Sequence, residues 1–302
     1  MISIKRPRWA KKIRGRKDLP SRALIASKDI IWNSGWWLKN VVPGAIKRRV
    51  KRLCTRRSYS FDKVASRYRR VSFCTTCMGR LEHIKKTLLK NIRDNDDYPD
   101  IEFVLLDYNS NDGLEQWVRE HCARELASGR LVYYQTKKPD HFHMARAKNI
   151  AHDLATGEIL CNVDADNFTG KDFAYYINSV FDREPRSLLV HDLVVKGCGG
   201  RIVISADDFR ALGGYNEIMT GWGYEDRDFI LRAERLGLKE SVIPAYFLNT
   251  IRHGDGLRVR NTPSAASLKK TLNDNRSISN ADQTIVHIDN PPYDPTEFKR
   301  LK

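Results

Sequence analysis

The chain lacks an early apolar run. Its most apolar N-terminal segment, Ile30 to Ile46, is broken by Asn33, Ser34, Lys39, Asn40 and Pro43, which leaves it too short and too polar to span a bilayer. The first residues alternate bases with single apolar side chains, a pattern that does not match a secretory leader. A disulfide framework is also missing. The six cysteines (54, 74, 77, 122, 161 and 198) are scattered through a large chain, several inside apolar runs such as Ile159-Leu160-Cys161, as expected of free thiols in a reducing compartment. Cys74-x-x-Cys77 follows a strand, where a redox pair would sit, but no second pair completes a structural zinc site. There is no Gly-x-Gly-x-x-Gly loop and no internal repeat. Nor is the composition that of a disordered chain, with 41% hydrophobic residues, 12 Tyr, 11 Phe and 6 Trp among its 302 residues.

What is present is unevenly charged. Residues 1–70 hold 22 of the 53 Lys and Arg but only 3 of the 37 Asp and Glu, so a near-neutral body carries a strongly basic extension. Lys47-Arg48-Arg49, Lys51-Arg52 and Arg56-Arg57 lie near Trp32, Trp36 and Trp37, a mixture suited to an anionic membrane surface. Nucleic acid is the rival partner for such an arm, and a solvated tail is the bland alternative. The membrane surface is the expected partner, and nucleic acid is not. The expected location is cytoplasmic, peripheral on the inner face of a membrane.

From residue 71 strands and helices alternate. Val71 to Cys74 reads as a strand. Leu81, Ile84, Leu88 and Ile92 then fall at helical spacing, with Glu82 and Lys86 placed to pair. Phe103 to Leu106 is a buried strand ending at Asp107, followed by a helix through Leu114, Trp117, Val118 and Leu126. A third strand spans Leu131 to Gln135, a helix Met144 to Ala155, and a fourth strand Glu158 to Val163 runs into Asp164-Ala165-Asp166. Such alternation predicts a mostly parallel sheet with helices on both faces, whose ligands bind beyond the carboxyl ends of the strands. Beyond them come strands at Leu188–Val195 and Arg201–Ser205, a short helix N-capped by Ser205, and a helix over about 225–236. After about 256 the chain turns polar, as in a lid or loosely packed tail.

Two constellations carry chemistry. Asp164 and Asp166 stand at the end of a buried strand, and paired oxygen ligands there suit Mg²⁺ or Mn²⁺ bridging phosphate oxygens. About 60 residues on, Gly221-Trp222-Gly223-Tyr224-Glu225-Asp226-Arg227-Asp228 sets glycines around an indole and two acids at a helix start, with Arg232 after them. Flanking glycines let backbone approach a ligand, and an indole face suits the axial C–H groups of a sugar. His141 and His143 flank Phe142 in a loop, where histidines are more often solvated than ligating.

Together these stretches resemble the GT-A glycosyltransferases, inverting family 2 enzymes above all, with a C-terminal half similar to β-1,4-galactosyltransferases and chondroitin-type polymerases. Met78 to Ile84 is similar to their first nucleotide-binding turn, Ala145 to Asn149 to the segment before their Asp-x-Asp, and His253 stands where they place a last metal ligand. The resemblance covers about 71–255. It implies a mixed, mostly parallel α/β sheet of GT-A type, behind the basic extension 1–70 and ahead of a lid or tail at 256–302. It implies that Thr75, Arg80 and Asp107 contact uridine and Arg146 the nucleotide. Asp164 would touch ribose or metal, and Asp166 and His253 would ligate Mn²⁺ or Mg²⁺. Trp222 would stack on a sugar, Glu225 bind a sugar hydroxyl and Asp226 serve as base. Tyr108 departs from the acidic residue or Asn that often follows the first Asp of the nucleotide loop. The activity implied is transfer of a hexose or N-acetylhexosamine from a UDP-sugar to a glycan or lipid-linked acceptor, with inversion, in surface polysaccharide or glycoconjugate synthesis. A retaining or non-UDP transferase is the alternative within this class.

Overall fold

A computed structural model describes residues 61, 63–192, 195–254, 256, 261 and 268–301. The basic run at 1–60, with its expected membrane contact, lies outside the described residues. Among the described residues no helix is long and apolar enough to cross a membrane.

Strand β1 (Val71–Cys77) leads through α1 (Leu81–Asp94) to β2 (Ile101–Tyr108), then α2 (Leu114–His121), α3 (Ala123–Ala127) and β3 (Leu131–Thr136). After α4 (Met144–Asp153) come β4 (Ile159–Asn162), β5 (Asn167–Phe168), α5 (Phe173–Arg183), β6 (Ser187–Val190) and β7 (Ile202–Ser205). The chain continues through α6 (Ala206–Ala211), α7 (Glu225–Arg235), β8 (Lys239–Val242), β9 (Asn249–Thr250), α8 (Leu268–Ala281) and β10 (Lys299–Arg300). Eight strands form one sheet in the order β10-β3-β2-β1-β4-β7-β6-β8, and β5 pairs with β9 apart from it.

The centre of the sheet is parallel, β2 and β4 both running with β1. All eight residues of β2 are buried, which is why its sequence is almost continuously apolar rather than alternating. Helix α1 buries Ile84, Leu88 and Ile92, the predicted stripe. On its outer face Glu82 pairs with Lys85 at 2.7 Å rather than with Lys86, a contact one residue nearer on the same helix turn. The helix expected through Leu126 is interrupted at Cys122, whose fully buried, non-helical backbone (φ −120°) separates α2 from α3. Ser205 caps α6 as expected, its Oγ accepting from the Asp208 N–H at 3.0 Å. The strand expected over 188–195 ends at Val190.

Residues 268–301, expected as a lid or tail, brace the body over their described length. Asn275 and Ser279 of α8 are buried, and β10 adds an antiparallel edge strand to β3. The five described cysteines are free and buried, and burial pushes their thiols up, that of Cys77 to about 12, which disfavours the reactive thiolate.

Candidate active site

Because β1, β2 and β4 run parallel, their carboxyl ends meet on one edge. β7 runs against β4 and β6 against β7, so the loop after β6 reaches that edge too. Asn162, at the end of β4, ties this loop down by donating to the Gly200 carbonyl at 2.8 Å. The loop then lies so close to the acidic turn that a Cβ on Gly200 would sit 2.8 Å from Asp164 Oδ1. Asp164 accepts from Asn162 Nδ2 at 3.1 Å, and burial pushes its carboxyl above the usual range, against the nearby Lys148.

Asp166 faces elsewhere. The β5–β9 pair carries residues 249–253 alongside it, the Ile251 N–H donating to the Asp166 carbonyl at 2.8 Å. His253 Nε2 then lies 2.9 Å from Asp166 Oδ2, while its Nδ1 is 3.1 Å from the Gly254 carbonyl. With its hydrogen on Nε2 the ring donates to Asp166; with the hydrogen on Nδ1 it donates to the Gly254 carbonyl and turns a bare Nε2 toward the carboxylate. In the second tautomer each group offers a lone pair to a divalent ion, whose bonds of roughly 2.1 Å to two neighbouring ligands set them about 3 Å apart. Asn167 Nδ2 holds the other Asp166 oxygen at 2.8 Å, and Arg201, fully buried, donates to Asn167 Oδ1 at 3.3 Å. Among the described residues no three His, Cys, Asp or Glu side chains converge on one point. The residues present fit a cation held by two protein donors and completed by phosphate or water. His83, on the first turn of α1, packs edge-on against His253 with ring centres 5.4 Å apart.

The acids of α7 form the second cluster. Tyr224, at φ 77°, turns the chain into the helix in a left-handed conformation uncommon for a side chain of its size. Lys148 of α4 is buried beneath the first turn, donating to Glu225 Oε1 at 3.0 Å and Asp226 Oδ1 at 2.6 Å. The Asp226 side chain keeps 24% of its surface exposed, and its second oxygen has no partner among the described residues. Burial pushes its carboxyl up to about 7, against the pull of Lys148 and with Glu225 and Asp164 adding to the rise.

Residues 191–254 match the family described as the N-terminal domain of galactosyltransferase, a segment that runs from the end of β6 past His253. The structure is similar to a mannosyltransferase, PcManGT from Pyrobaculum calidifontis, in complex with GDP-Man and Mn²⁺. That pair shares 16% identity at a TM-score of 0.53 over 86% of this chain and 81% of the other. It is also similar to S. aureus TarS 1–349, at 15% identity and a TM-score of 0.50, spanning 59% of either chain. With TarS in complex with UDP the TM-score is 0.52 over 67% of this chain and 68% of that one. The fold is GT-A. No curated protein matches the sequence. The matched segment and the shared fold support a nucleotide-sugar-dependent glycosyltransferase.

In this GT-A chain several of the expected site residues are engaged within the protein. Asp107 is fully buried, and its oxygens accept from the Ser110 N–H (2.7 Å), Tyr133 hydroxyl (2.5 Å) and Gln135 Nε2 (3.1 Å). These bonds fix the loop that follows β2. Arg146 is engaged by Glu217 at 2.8 Å. Thr75 is partly buried near the end of β1, and Arg80 caps α1, its carbonyl accepting from the His83 and Ile84 N–H groups. His143 caps α4, with Nδ1 3.3 Å from the Arg146 N–H. The glycines around Trp222 approach α8, not open space: a Cβ on Gly221 would meet Thr271 at 2.6 Å and one on Gly223 would meet Leu272 at 2.9 Å. Both have positive φ, so their lack of a side chain serves the turn and the packing together. Thr271 Oγ1 clasps the Trp222 backbone, and Asn275 Nδ2 donates to the carbonyls of Thr220 and Gly223.

Three contributors were missed from the sequence: Lys148, Asn167 and Arg201. A lysine three residues before Ala151 on a helix whose inner face is small and apolar was the one available signal, since a solvated lysine would not be placed there.

Proposed function

We propose that this chain moves a hexose or N-acetylhexosamine from a UDP-sugar to a hydroxyl of a glycan or lipid-linked acceptor, with inversion. The observation that carries the reading is that the Asp166–His253 pair, which can hold a cation, and a carboxylate, Asp226, raised by burial to about 7 against the pull of a buried lysine, both belong to segments around the turn after β4. The neighbours with UDP and UDP-GlcNAc favour a UDP-sugar; the one with GDP-Man and Mn²⁺ makes a GDP-sugar the second donor to test. Residues 71–255 would carry catalysis, 256–302 would form a lid or tail, and 1–70 would meet an anionic membrane surface.

A bound Mn²⁺ or Mg²⁺ would be held by Asp166 and His253 and would offset charge building on the departing diphosphate. Asp226 takes the proton from the acceptor hydroxyl as its oxygen attacks the anomeric carbon. The bond from that carbon to the diphosphate oxygen breaks, its electron pair leaving with the nucleotide. Attack from the face opposite the leaving group inverts the centre. One carboxylate suffices, because a diphosphate leaves without being protonated. Glu225, held beside Asp226 by Lys148, would bind a sugar hydroxyl, and Trp222 would stack on the ring.

A panel of UDP- and GDP-sugars with Mn²⁺ tests the reading. One donor should raise the unfolding midpoint, by about 2.7 kcal/mol of stability at a hundredfold excess over its Kd, and should release nucleotide. Chelation and Asp166→Ala should each abolish the metal-dependent part of that protection. If no donor protects or turns over, the reading fails.

Asp226 also sets a pH dependence. The base acts when ionised, so kcat/KM should rise with pH through about 7. Its folded-state value lies above its unfolded one, so between pH 4 and 7 the folded protein binds the extra proton, and this group's contribution to stability falls as pH rises. A flat profile from pH 5 to 9 would remove Asp226 as base.

A further inference from the structure

Lys148 is a single ammonium set among several acids. It bonds Glu225 and Asp226 directly, lies 5.1 Å from the centre of the Tyr215 ring, and has Asp164 beyond them. It is almost fully buried, where an ammonium persists only if its partners repay the lost hydration. Here they do: burial opposes the charge, yet Asp226 and Glu225 hold it well above the ordinary lysine value.

We infer that Lys148 is the positioning residue of the transfer reaction, its ammonium keeping Asp226 ionised and aimed while fixing Glu225 beside it. This rests on the reading of Asp226 as base. The charged and titratable groups facing Asp226 are Lys148 from α4, Glu225 from α7 and Asp164 from the turn after β4, with Tyr215, ahead of α7, stacked beneath the lysine. Burial, Glu225 and Asp164 all favour the protonated acid, and Lys148 alone opposes them. The division of the carboxylate follows: Oδ1 is taken by Lys148, and Oδ2 is left for the acceptor hydroxyl. Without the ammonium the acid would hold its proton at neutral pH and could not accept another. A lysine whose role was only to fill space under α7 would predict no such effect on titration.

The test is the pH profile of kcat/KM for wild type, Lys148→Met and Lys148→Arg. The rising limb should move up by at least about one pH unit in Lys148→Met and return most of the way in Lys148→Arg, which stays charged. A limb that stays in place while the rate falls equally at every pH overturns the inference. A second measurement is independent of turnover: unfolding midpoints at pH 8 for Lys148→Met, Asp226→Asn and the double variant. With the ammonium gone, Asp226→Asn should raise the midpoint, because it removes an unpaired buried acid; in wild type it should not. Equal effects in both backgrounds overturn the coupling. If Lys148→Met does not fold, Lys148→Gln replaces it in both experiments. Wild type that releases nucleotide from no donor sinks the enzymatic reading instead, and the unfolding cycle still decides whether Lys148 governs Asp226.

Discussion

Asp226→Asn is expected to lower turnover by roughly 10²–10⁴-fold, the range for removing a positioned general base, while leaving donor binding nearly intact. The amide keeps the shape of the carboxylate and can still accept from Lys148 through its oxygen, so the first turn of α7 should hold. What it loses is the capacity to take a proton. With Mn²⁺ the donor's diphosphate would be held at Asp166, in the turn after β4, and His253, just beyond β9, so thermal protection by nucleotide sugar with Mn²⁺ should survive. The expected pattern is thus a fall in kcat with little change in donor Kd. Full turnover in this variant would move the base elsewhere, and loss of donor binding would mean that Asp226 belongs to the donor pocket.

The second large effect is on stability. Arg232→Ala is expected to cost about 3–5 kcal/mol, the range for breaking a buried ion pair, and to lower the midpoint by on the order of 10 °C. Arg232 is 1% exposed and bonds Asp228 at 2.8 Å, with Nη1 donating to the Leu212 carbonyl and Nη2 to the Gly214 carbonyl. Its removal would leave three buried acceptors to find new partners. Asp228 is itself tied to α8 by the Ser279 hydroxyl at 2.8 Å, so the damage should spread to the brace over the Trp222 loop. Arg232→Lys should recover little, because one ammonium cannot copy a planar fork that reaches four acceptors, the Val286 carbonyl being the fourth. Arg227→Ala serves as the control. Arg227 is half exposed and 3.9 Å from Glu234, and its loss should cost under about 1 kcal/mol. Denaturant melts of the three variants check the order; a similar small cost for Arg232→Ala would remove its structural role.

The Gly-Trp-Gly-x-Glu-Asp-x-Asp stretch therefore mixes two jobs that look alike in one dimension. Glu225 and Asp226 share the Lys148 ammonium. Asp228 and Arg232, one turn along the same helix, face inward and hold α7 to the Leu212–Gly214 turn and to α8. The glycines serve the packing of α8, a segment whose polar composition reads as a tail because its contacts are hydrogen bonds from Thr271, Asn275 and Ser279 rather than an apolar stripe. Asp107 is the converse case. It was correctly placed at the end of β2, but its side chain is spent on the loop, which position along the chain does not reveal.

What the amino-acid order determined by itself was local: the alternation of strand and helix, the edge at which β1, β2 and β4 end, and the acids at the end of β4 and the start of α7. Apolar periodicity, caps and strand ends are properties of a few neighbouring residues, and they are legible as such. Only the tertiary structure decided the partnerships. Asp166 meets His253 across 87 residues because β5 pairs with β9, and Lys148 meets Asp226 across 78 because Ala145 of α4 and Phe229 of α7 join one apolar cluster with β4, β6 and β7. Whether a carboxylate seeks a cation, holds a loop or takes a proton depends on burial and on which charge faces it, and those are set by chain segments far apart in sequence.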